Sequence, residues 1–112
     1  MIDLVVYPVK DVAKATAFYK TLLGMDPYIS SPYYVGFRVG SQEIGLDPNG
    51  HKSGLTGPIA YRQVDDIRKS LSALTAAGAQ TQQDVRDVGR GLLIAWVKDA
   101  DGNISGLRQN PQ

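Results

Sequence analysis

The chain repeats a local design at a fixed spacing: a strand-like segment, a capped helix and a terminal glycine occur twice. The first copy spans Leu4–Gly24 and the second spans Ile59–Gly78. Corresponding positions lie 55 residues apart, namely Val9 and Val64, Asp11 and Asp66, and Val12 and Ile67. A single period across half of the chain length indicates internal duplication and predicts that both halves fold in the same way.

Each copy carries the signals of an amphipathic helix that follows a strand. Apolar residues spaced for one helix face are Ile67, Leu71 and Leu74 in the second copy and Val12, Ala15, Tyr19 and Leu22 in the first. Asp11 precedes the first stripe, and Asp65 and Asp66 precede the second, so a carboxylate can cap each helix. Gly24 and Gly78 supply the left-handed residue that ends a helix.

Three further strands are predicted after each helix, because β-branched and aromatic residues recur between turn residues. They are Tyr28–Ile29, Tyr33–Val39 and Glu43–Leu46, and then Ala79–Val85, Leu92–Val97 and Ile104–Leu107. The prediction is an α+β fold, a single domain of two β-α-β-β-β modules at residues 1–46 and 58–109. Asp47–Gly57, rich in Gly, Pro, Asn and Ser, is interpreted as a linker that is long enough to cover a site.

Composition narrows the function classes. Twelve basic and eleven acidic residues create no field that would attract nucleic acid or an anionic membrane, so neither partner is expected. The absence of cysteine rules out a disulfide framework, a thiolate nucleophile and a zinc–sulfur site. The chain begins directly in a strand-like segment without a basic, apolar leader, which favours a cytoplasmic location.

Three motifs together carry a family resemblance. V-x-D opens each helix, L-G or A-G-A follows it, and D-A-D-G-N at 99–103 precedes the last strand. The duplicated chain resembles the vicinal oxygen chelate superfamily, which includes glyoxalases, bleomycin-resistance proteins and extradiol dioxygenases. The resemblance implies eight strands that form a cup with the helices outside. It also implies, for enzymes of the group, a divalent metal held by His and Glu or Gln on the first and last strands of each module.

The chain departs from that pattern at the implied metal-ligand positions. These positions fall on Leu4 and Ile59, or on Pro58 with a shift of one residue, and on Gly45 and Gly106. Apolar side chains and glycine offer no donor to a transition or alkaline-earth ion. The sequence therefore predicts a member of the group without a metal or other cofactor.

The remaining motifs add little chemistry. His51 is the only histidine and lies in the Gly-rich linker, where it is either a solvent-exposed loop residue or a cap on the cup. Asp99–Gly102 is similar to the start of a calcium loop but lacks the later acidic ligands, so a tight turn is predicted. The glycines do not form a phosphate-binding motif.

Strand alternation predicts which side chains face the cup, because residues two apart share a face. The predicted inward residues are Leu4, Val6, Glu43 and Asp47 in the first module and Ile59, Tyr61, Gln63, Ile104 and Arg108 in the second. Gly45 and Gly106 share these faces and are interpreted as leaving room. An apolar floor with a few polar groups is typical of a small-molecule site.

The candidate ligand-binding residues are Tyr61, Gln63, Arg108, Asp47, Glu43, Trp96 and His51. Tyr61 offers a ring for stacking, Gln63 both donates and accepts, and Arg108 presents a fixed fork of donors. The alternative for Tyr61 is a core residue with a satisfied hydroxyl. Trp96 faces either the helix or the cup.

Arg108 has an alternative role as well, an ion pair with Glu43 or Asp47 at the rim.

Two functions stay open. The first is metal-independent binding of a small aromatic or planar molecule. The second is a lyase, isomerase or dioxygenase-like enzyme that uses Asp47, Glu43, Tyr61 or His51 for acid–base chemistry. A homodimer is expected, because the resemblance implies one and a thin shell leaves strand edges and apolar surface exposed.

Overall fold

The computed structural model describes residues 1–112 and contains eight strands and two helices. The elements are β1 (Ile2–Pro8), α1 (Val12–Leu23), β2 (Ile29–Ser30), β3 (Val35–Val39), β4 (Gln42–Asp47), β5 (Ile59–Gln63), α2 (Ile67–Ala76), β6 (Gln80–Asp87), β7 (Leu93–Lys98) and β8 (Ile104–Gln109). This order confirms the α+β class and the two β-α-β-β-β modules. Neither helix combines the length and the hydropathy needed to cross a membrane.

The chain forms two compact units, an N-terminal unit of residues 3–59 and a C-terminal unit of residues 60–112 with residues 1–2. The strand order in the N-terminal unit is β1-β4-β3-β2, and in the C-terminal unit it is β5-β8-β7-β6. In each unit the first and last strands pair in parallel and the other pairs are antiparallel. The repeated sequence therefore folds twice into one topology.

The structure shows which of the two candidate carboxylates, Asp65 or Asp66, caps helix α2. Asp66 is the cap, and its Oδ1 accepts the Lys69 N–H at 3.1 Å. The side-chain oxygen of Gln109 accepts the Ile67 N–H at 2.8 Å, so a second donor of the first turn is satisfied from β8. Helix α1 begins in the same way at Asp11 and ends at a left-handed glycine, as predicted.

Replacement of Asp66 by alanine is expected to lower the free energy of unfolding by about 1 kcal/mol, because a helix N–H loses its acceptor. Asp65→Ala is the matched control, since the neighbouring carboxylate makes no cap, and a change within about 0.5 kcal/mol is expected there. Urea unfolding of the two variants and the wild type measures the difference. Equal stabilities of the two variants would contradict the assignment of the cap.

Each helix covers one hydrophobic cluster on its sheet. Under α1 the buried residues are Val35, Phe37 and Leu46, surrounded by Tyr7, Val9, Val12, Ala15, Tyr19, Leu23, Met25 and Ile44. Under α2 they are Ile67, Leu71, Ala95, Val97 and Leu107, surrounded by Val64, Leu74, Ala79, Val85 and Leu93. Because neighbouring strand residues point to opposite sides, these clusters also define the other face of each sheet, called the distal face below.

The D-A-D-G-N segment is a tight turn between β7 and β8, as predicted. Asp99 Oδ1 accepts the N–H groups of Asp101 and Asn103 at 2.9 Å, and Oδ2 accepts the Asn103 side-chain amide at 3.0 Å. These hydrogen bonds, first of all that from the Asn103 side chain, hold the pKa of Asp99 below its ordinary value of 3.8. The ionised carboxylate therefore stabilises the turn.

A lowered pKa in the folded state means that this stabilisation is complete above about pH 3.8 and is lost as the pH falls through the folded-state pKa. The difference in melting temperature between the wild type and Asp99→Ala is expected to be constant near neutral pH and to shrink below pH 3.8. Asp101→Ala is the control at an exposed carboxylate in the same turn. A difference that does not change with pH would contradict this role.

Most strand boundaries differ from the sequence predictions by one residue, and three differ by two. β3 begins at Val35 rather than Tyr33, because the Ser31 hydroxyl accepts the N–H groups of Tyr33 and Tyr34 and forms a turn there. β6 extends to Asp87 and β8 to Gln109. The segment interpreted as a linker contains its own core residue, Leu55, which is 3% exposed.

Candidate functional site

The distal face of the N-terminal unit carries the residues that alternation predicted. Ile44 packs beneath α1 with Leu46, so Glu43, Gly45 and Asp47 point to the other side of β4. Tyr7 packs beneath α1 in the same cluster. By the same alternation Leu4 and Val6, both buried, lie on the distal side of β1.

The glycines of this face are covered by tyrosine rings. A Cβ atom on Gly45 would contact the Tyr34 hydroxyl and lie 2.7 Å from Tyr34 Cζ. Gly36 pairs with Gly45, and a Cβ there would lie 3.0 Å from Tyr28 Cε1. The interpretation that Gly45 leaves room is wrong, because the space that a side chain would fill is already occupied.

Glu43 is engaged on this face. Its Oε1 accepts hydrogen bonds from the Tyr28 hydroxyl at 2.8 Å and from Arg38 Nη2 at 3.1 Å. The Arg38 guanidinium lies 4.2 Å above the centre of the Tyr28 ring, a cation–π geometry. The Glu43 carboxylate is therefore held by hydrogen bonds within the N-terminal unit.

Asp47 and His51 lie apart from this cluster. Asp47 Oδ1 accepts the Asn49 N–H at 2.8 Å and shapes the start of the following turn. Asp47 lies four residues after Glu43 along extended strand, a span of about 13 Å that excludes direct proton transfer between them. His51 is exposed in the loop after β4, which agrees with the loop alternative for this residue.

The distal face of the C-terminal unit is built around Tyr61 and Trp96. Trp96 Nε1 donates a hydrogen bond of 2.6 Å to the Tyr61 hydroxyl, and the two residues are 7% and 5% exposed. Ala95 and Val97 pack beneath α2, which places Trp96 on the distal face and decides its orientation. The hydroxyl of Tyr61 is engaged within the protein, as in the alternative for this residue.

Gly106 lies in register between the two aromatic residues. It pairs with Tyr61 on β5 and with Trp96 on β7. A Cβ on Gly106 would contact Tyr61 Cδ1 and lie 2.8 Å from Tyr61 Cγ, so the ring covers the glycine directly. The space next to Gly106 that was expected to be empty is therefore occupied by the Tyr61 ring.

Four residues in register across the strands form the aromatic row, which consists, in strand order, of Tyr61, Gly106, Trp96 and Gln83.

A second row of paired residues runs beside the first. The arginine row consists of Gln63, Arg108, Ile94 and Arg86, again in strand order. Gln63 and Arg86 are exposed, whereas Arg108 and Ile94 are partly buried. Arg108 already has a polar or electrostatic contact within the protein. The two rows place a fixed aromatic pair beside exposed amide and guanidinium groups.

The residues at the family's metal-ligand positions do not fit a divalent metal. Leu4 and Ile59 are buried apolar residues, and Gly45 and Gly106 have no side chain. The space next to each glycine holds a tyrosine ring. The protein has no group of three or more His, Asp or Glu residues placed to share a metal ion. No donor set of the kind that the resemblance implied is present.

Sequence reasoning missed Arg86 and Gln83. The predicted strand ended at Val85, and the polar stretch from Gln80 to Asp84 has no apolar alternation from which to read a register. The structure has register shifts between Thr81 and Gln83 and between Gln83 and Arg86. No local sequence signal marks these irregularities.

A separate depression of about 350 Å³ lies where β5 meets α2, and Gln63 borders it. Asp65 and Asp66 line it together with Arg62 and Lys69, so its charges are mixed. The N–H groups of Ile67 and Lys69 on the first turn of α2 are already bonded to Gln109 and Asp66. This depression is therefore unsuited to an anion.

Comparisons with known proteins agree with this fold. Residues 1–105 match the family model described as the Glyoxalase/Bleomycin resistance protein/Dioxygenase superfamily. A search of curated proteins found no match. Many solved structures are similar, and each likeness at these identities shows the fold alone.

Three of these structures illustrate the range. The NAD-dependent benzaldehyde dehydrogenase of Legionella pneumophila has a TM-score of 0.79 and 22% identity, with 95% of this chain and 96% of that chain covered. Methylmalonyl-CoA epimerase from Mycobacterium tuberculosis has a TM-score of 0.75 and 19% identity, with 99% and 87% covered. A glyoxalase/bleomycin resistance protein/dioxygenase superfamily member from Vibrio splendidus has a TM-score of 0.72 and 14% identity, with 95% of each chain covered.

Proposed function

Because the chain belongs to the glyoxalase/bleomycin resistance protein/dioxygenase superfamily, we propose that it binds a small aromatic or planar molecule without a metal ion. The proposed site is the distal face of the C-terminal unit. One observation carries the proposal: the hydrogen-bonded pair of Tyr61 and Trp96 lies next to the polar arginine row. Partly buried Ile94 and the small exposed margin of the aromatic pair can contact the apolar body of a ligand, and exposed Gln63 and Arg86 can contact its polar groups.

The aromatic pair is held rigidly, which favours binding. The hydrogen bond between Trp96 and Tyr61 fixes both rings, and Gly106 allows the Tyr61 ring to lie against the sheet. A preorganised site loses little side-chain entropy when a ligand arrives. Next to it, partly buried Ile94 extends the apolar surface, and exposed Gln63 can donate and accept.

Binding is preferred over catalysis because the acid–base candidates are committed or isolated. Glu43 is held by Tyr28 and Arg38, Asp47 bonds a backbone N–H, and His51 lies in an exposed loop. None of them forms a nucleophile–base pair. One observation supports the enzyme alternative: a methylmalonyl-CoA epimerase has a similar fold. Mass spectrometry of each ligand before and after incubation with the protein separates the two functions.

A thermal-shift screen against antibiotics, aromatic metabolites and methylglyoxal adducts is the first test, because a ligand of the folded state raises the melting temperature. Trp96 is the only tryptophan, so its indole N–H gives one cross-peak in an ¹⁵N-HSQC spectrum. Ligands found by the screen are expected to shift that peak. Tyr61→Ala is expected to weaken them by about 1–3 kcal/mol.

Tyr33→Ala is the control at an exposed tyrosine of the N-terminal unit, and no change in affinity is expected for it. A ligand that leaves the Trp96 peak in place and binds Tyr61→Ala as tightly as the wild type would place the site elsewhere. A ligand converted to product would establish the enzyme alternative.

We further propose that the protein is a homodimer. Large apolar side chains of the N-terminal unit support this, since Phe18 and Leu22 on α1 are 62% and 63% exposed, one helical turn apart. Light scattering at micromolar concentrations is expected to give twice the chain mass of 12.1 kDa. Leu22→Glu is expected to shift the mass towards the monomer, with Ala13→Glu as a control at an exposed position of the same helix outside the face of Phe18 and Leu22. A monomer mass for the wild type would overturn this proposal.

A further inference from the structure

Irregular pairing of β6 turns Arg86 onto the distal face of the C-terminal unit. Gln83 pairs with Trp96 and Arg86 pairs with Ile94, so both lie on this face although they are three residues apart. Regular alternation would put them on opposite faces. The register shift between them removes the conflict, and the side chain of Asp84 accepts the Val85 N–H within the irregular segment at 2.7 Å. Bulges commonly redirect side chains in this way.

The same register shift places the side chain of Val85 on the helix side of β6. Val85 packs against the cluster beneath α2, on the opposite side of the strand from Arg86. One irregularity therefore gives β6 both a core contact and a guanidinium on the distal face. The placement of Arg86 is thus tied to the packing of the unit and is not a property of a loose surface side chain.

The charged residues whose strand register places them on this distal face are all basic. They belong to Arg86, Lys98 and Arg108, which lie on three neighbouring strands. The acidic residues of the unit lie elsewhere: Asp65 and Asp66 at the start of α2, Asp99 and Asp101 in the β7–β8 turn, Asp84 at an unpaired position of β6, and Asp87 in register with Leu93, which packs beneath α2. In a chain with a net charge of only +1 this is a local separation of charge.

Arg86 is the cation best able to meet a ligand. Arg108 is partly buried and already has a contact within the protein. Lys98 is partly buried and pairs at the far end of β7, beyond Trp96. Arg86 is exposed and makes no hydrogen bond or ion pair within the protein, so its fork of donors is available to a carboxylate.

We propose that the ligand of this face is an aromatic carboxylate and that Arg86 is the residue that recognises its negative charge. The inference rests on the proposed function, since it names the class of molecule for the same site. Two strand steps separate Arg86 from Arg108, about 10 Å, with Ile94 between them. That width suits a planar body of one or two rings over Ile94 and at the exposed margin of the nearly buried Trp96, with its carboxylate at the outer strand.

The test uses ligand pairs matched in shape and different in charge: 4-hydroxybenzoate with 4-hydroxybenzamide, and 1-naphthoate and 2-naphthoate with their primary amides. The Trp96 indole cross-peak is followed in ¹⁵N-HSQC titrations of the full chain. We expect at least one carboxylate to bind about tenfold more tightly than its amide, and added salt to weaken only the carboxylate. Arg86→Gln is expected to remove that tenfold preference and to leave the affinity of the amide unchanged.

Arg62→Gln is the matched control. It removes the same charge from an exposed position on β5 whose side chain lies on the helix side, in register with Leu107, and no change in affinity is expected. The remaining cross-peaks of both variants report whether the fold is intact.

Two failures are distinguishable. If neither these pairs nor the compounds of the thermal-shift screen shift the Trp96 peak, the proposed function itself fails, and if screened compounds shift it but no aromatic carboxylate does, only the present proposal fails. If carboxylate and amide bind equally, or if Arg86→Gln weakens both alike or neither, the charge preference is overturned while binding on this face stands. A carboxylate preference that Arg62→Gln removes as well would indicate a general effect of net charge and would also overturn the role of Arg86.

Discussion

Replacement of Gly106 by alanine is expected to lower the free energy of unfolding by about 2–3 kcal/mol. The added methyl group would meet the Tyr61 ring near its base, 2.8 Å from Cγ, where the ring cannot turn away without moving the backbone or changing rotamer. Tyr61 is also 5% exposed and accepts the hydrogen bond from Trp96, so a displaced ring loses that bond. Overpacking of a well-filled site typically costs 1–3 kcal/mol. Urea unfolding measures the cost.

Gly45→Ala is the matched comparison in the other module. There the added methyl group would meet the hydroxyl end of the Tyr34 ring, which can move with a small rotation. A cost of about 1 kcal/mol, smaller than that of Gly106→Ala, is therefore expected.

A double-variant cycle identifies the cause of the destabilisation. In the background of Tyr61→Ala, the further change of Gly106 to alanine is expected to cost at least about 1 kcal/mol less than in the wild type, because the clashing ring is gone. An undiminished cost in that background would show that backbone conformation, and not the ring, requires glycine. Wild-type stability of Gly106→Ala would refute the packing of Tyr61 against Gly106.

Replacement of Phe37 by alanine is expected to lower the free energy of unfolding by about 3–5 kcal/mol. Phe37 is fully buried in one cluster with Val35 and Leu46 beneath α1, and truncation leaves a cavity that its neighbours cannot fill. Total stabilities of about 5–15 kcal/mol mean that this one change removes a large share. Denaturant unfolding of the variant at 25 °C measures it.

Val39→Ala on the same strand is the control for Phe37→Ala. Val39 is 45% exposed at the end of β3, so a loss well below 1 kcal/mol is expected. A cost below 1 kcal/mol for Phe37→Ala, or equal costs for the two variants, would contradict the placement of the N-terminal core.

The topology could be predicted because its signals are local and occur twice. Asp11 and Asp66 cap their helices through hydrogen bonds three residues away. Spacing also predicts the apolar stripes that follow, except at the end of α1, where Leu22 is 63% exposed and Leu23 packs in the core instead. Because the sequence is duplicated, the elements predicted for one half can be compared with those predicted for the other half. Boundaries were less certain where a side chain competes with strand pairing, as Ser31 does before β3.

The faces of the site were predictable, but its packing was not. Alternation from the helix-facing valines placed Tyr61, Gly106 and Arg108 on one side, and the core position of Leu107 agrees with that. Which ring covers a glycine depends on strand pairing: Tyr34 reaches Gly45 from just before the neighbouring strand. The position of exposed Arg86 on the distal face could not be predicted for the same reason, because only the pairing of β6 with β7 shows on which side of the strand its side chain lies.

The outermost strands have a consequence for how copies of this chain associate. β2 is two residues long, and β6 is interrupted by register shifts and carries Asp84, Arg86 and Asp87. Neither strand presents a long, regular row of free N–H and C=O groups, which is the template on which another chain would add a strand and on which aggregates grow. The proposed dimer is therefore expected to form through side-chain surfaces such as that of Phe18 and Leu22 and not by strand addition, and the irregularity that directs Arg86 also interrupts the sheet edge.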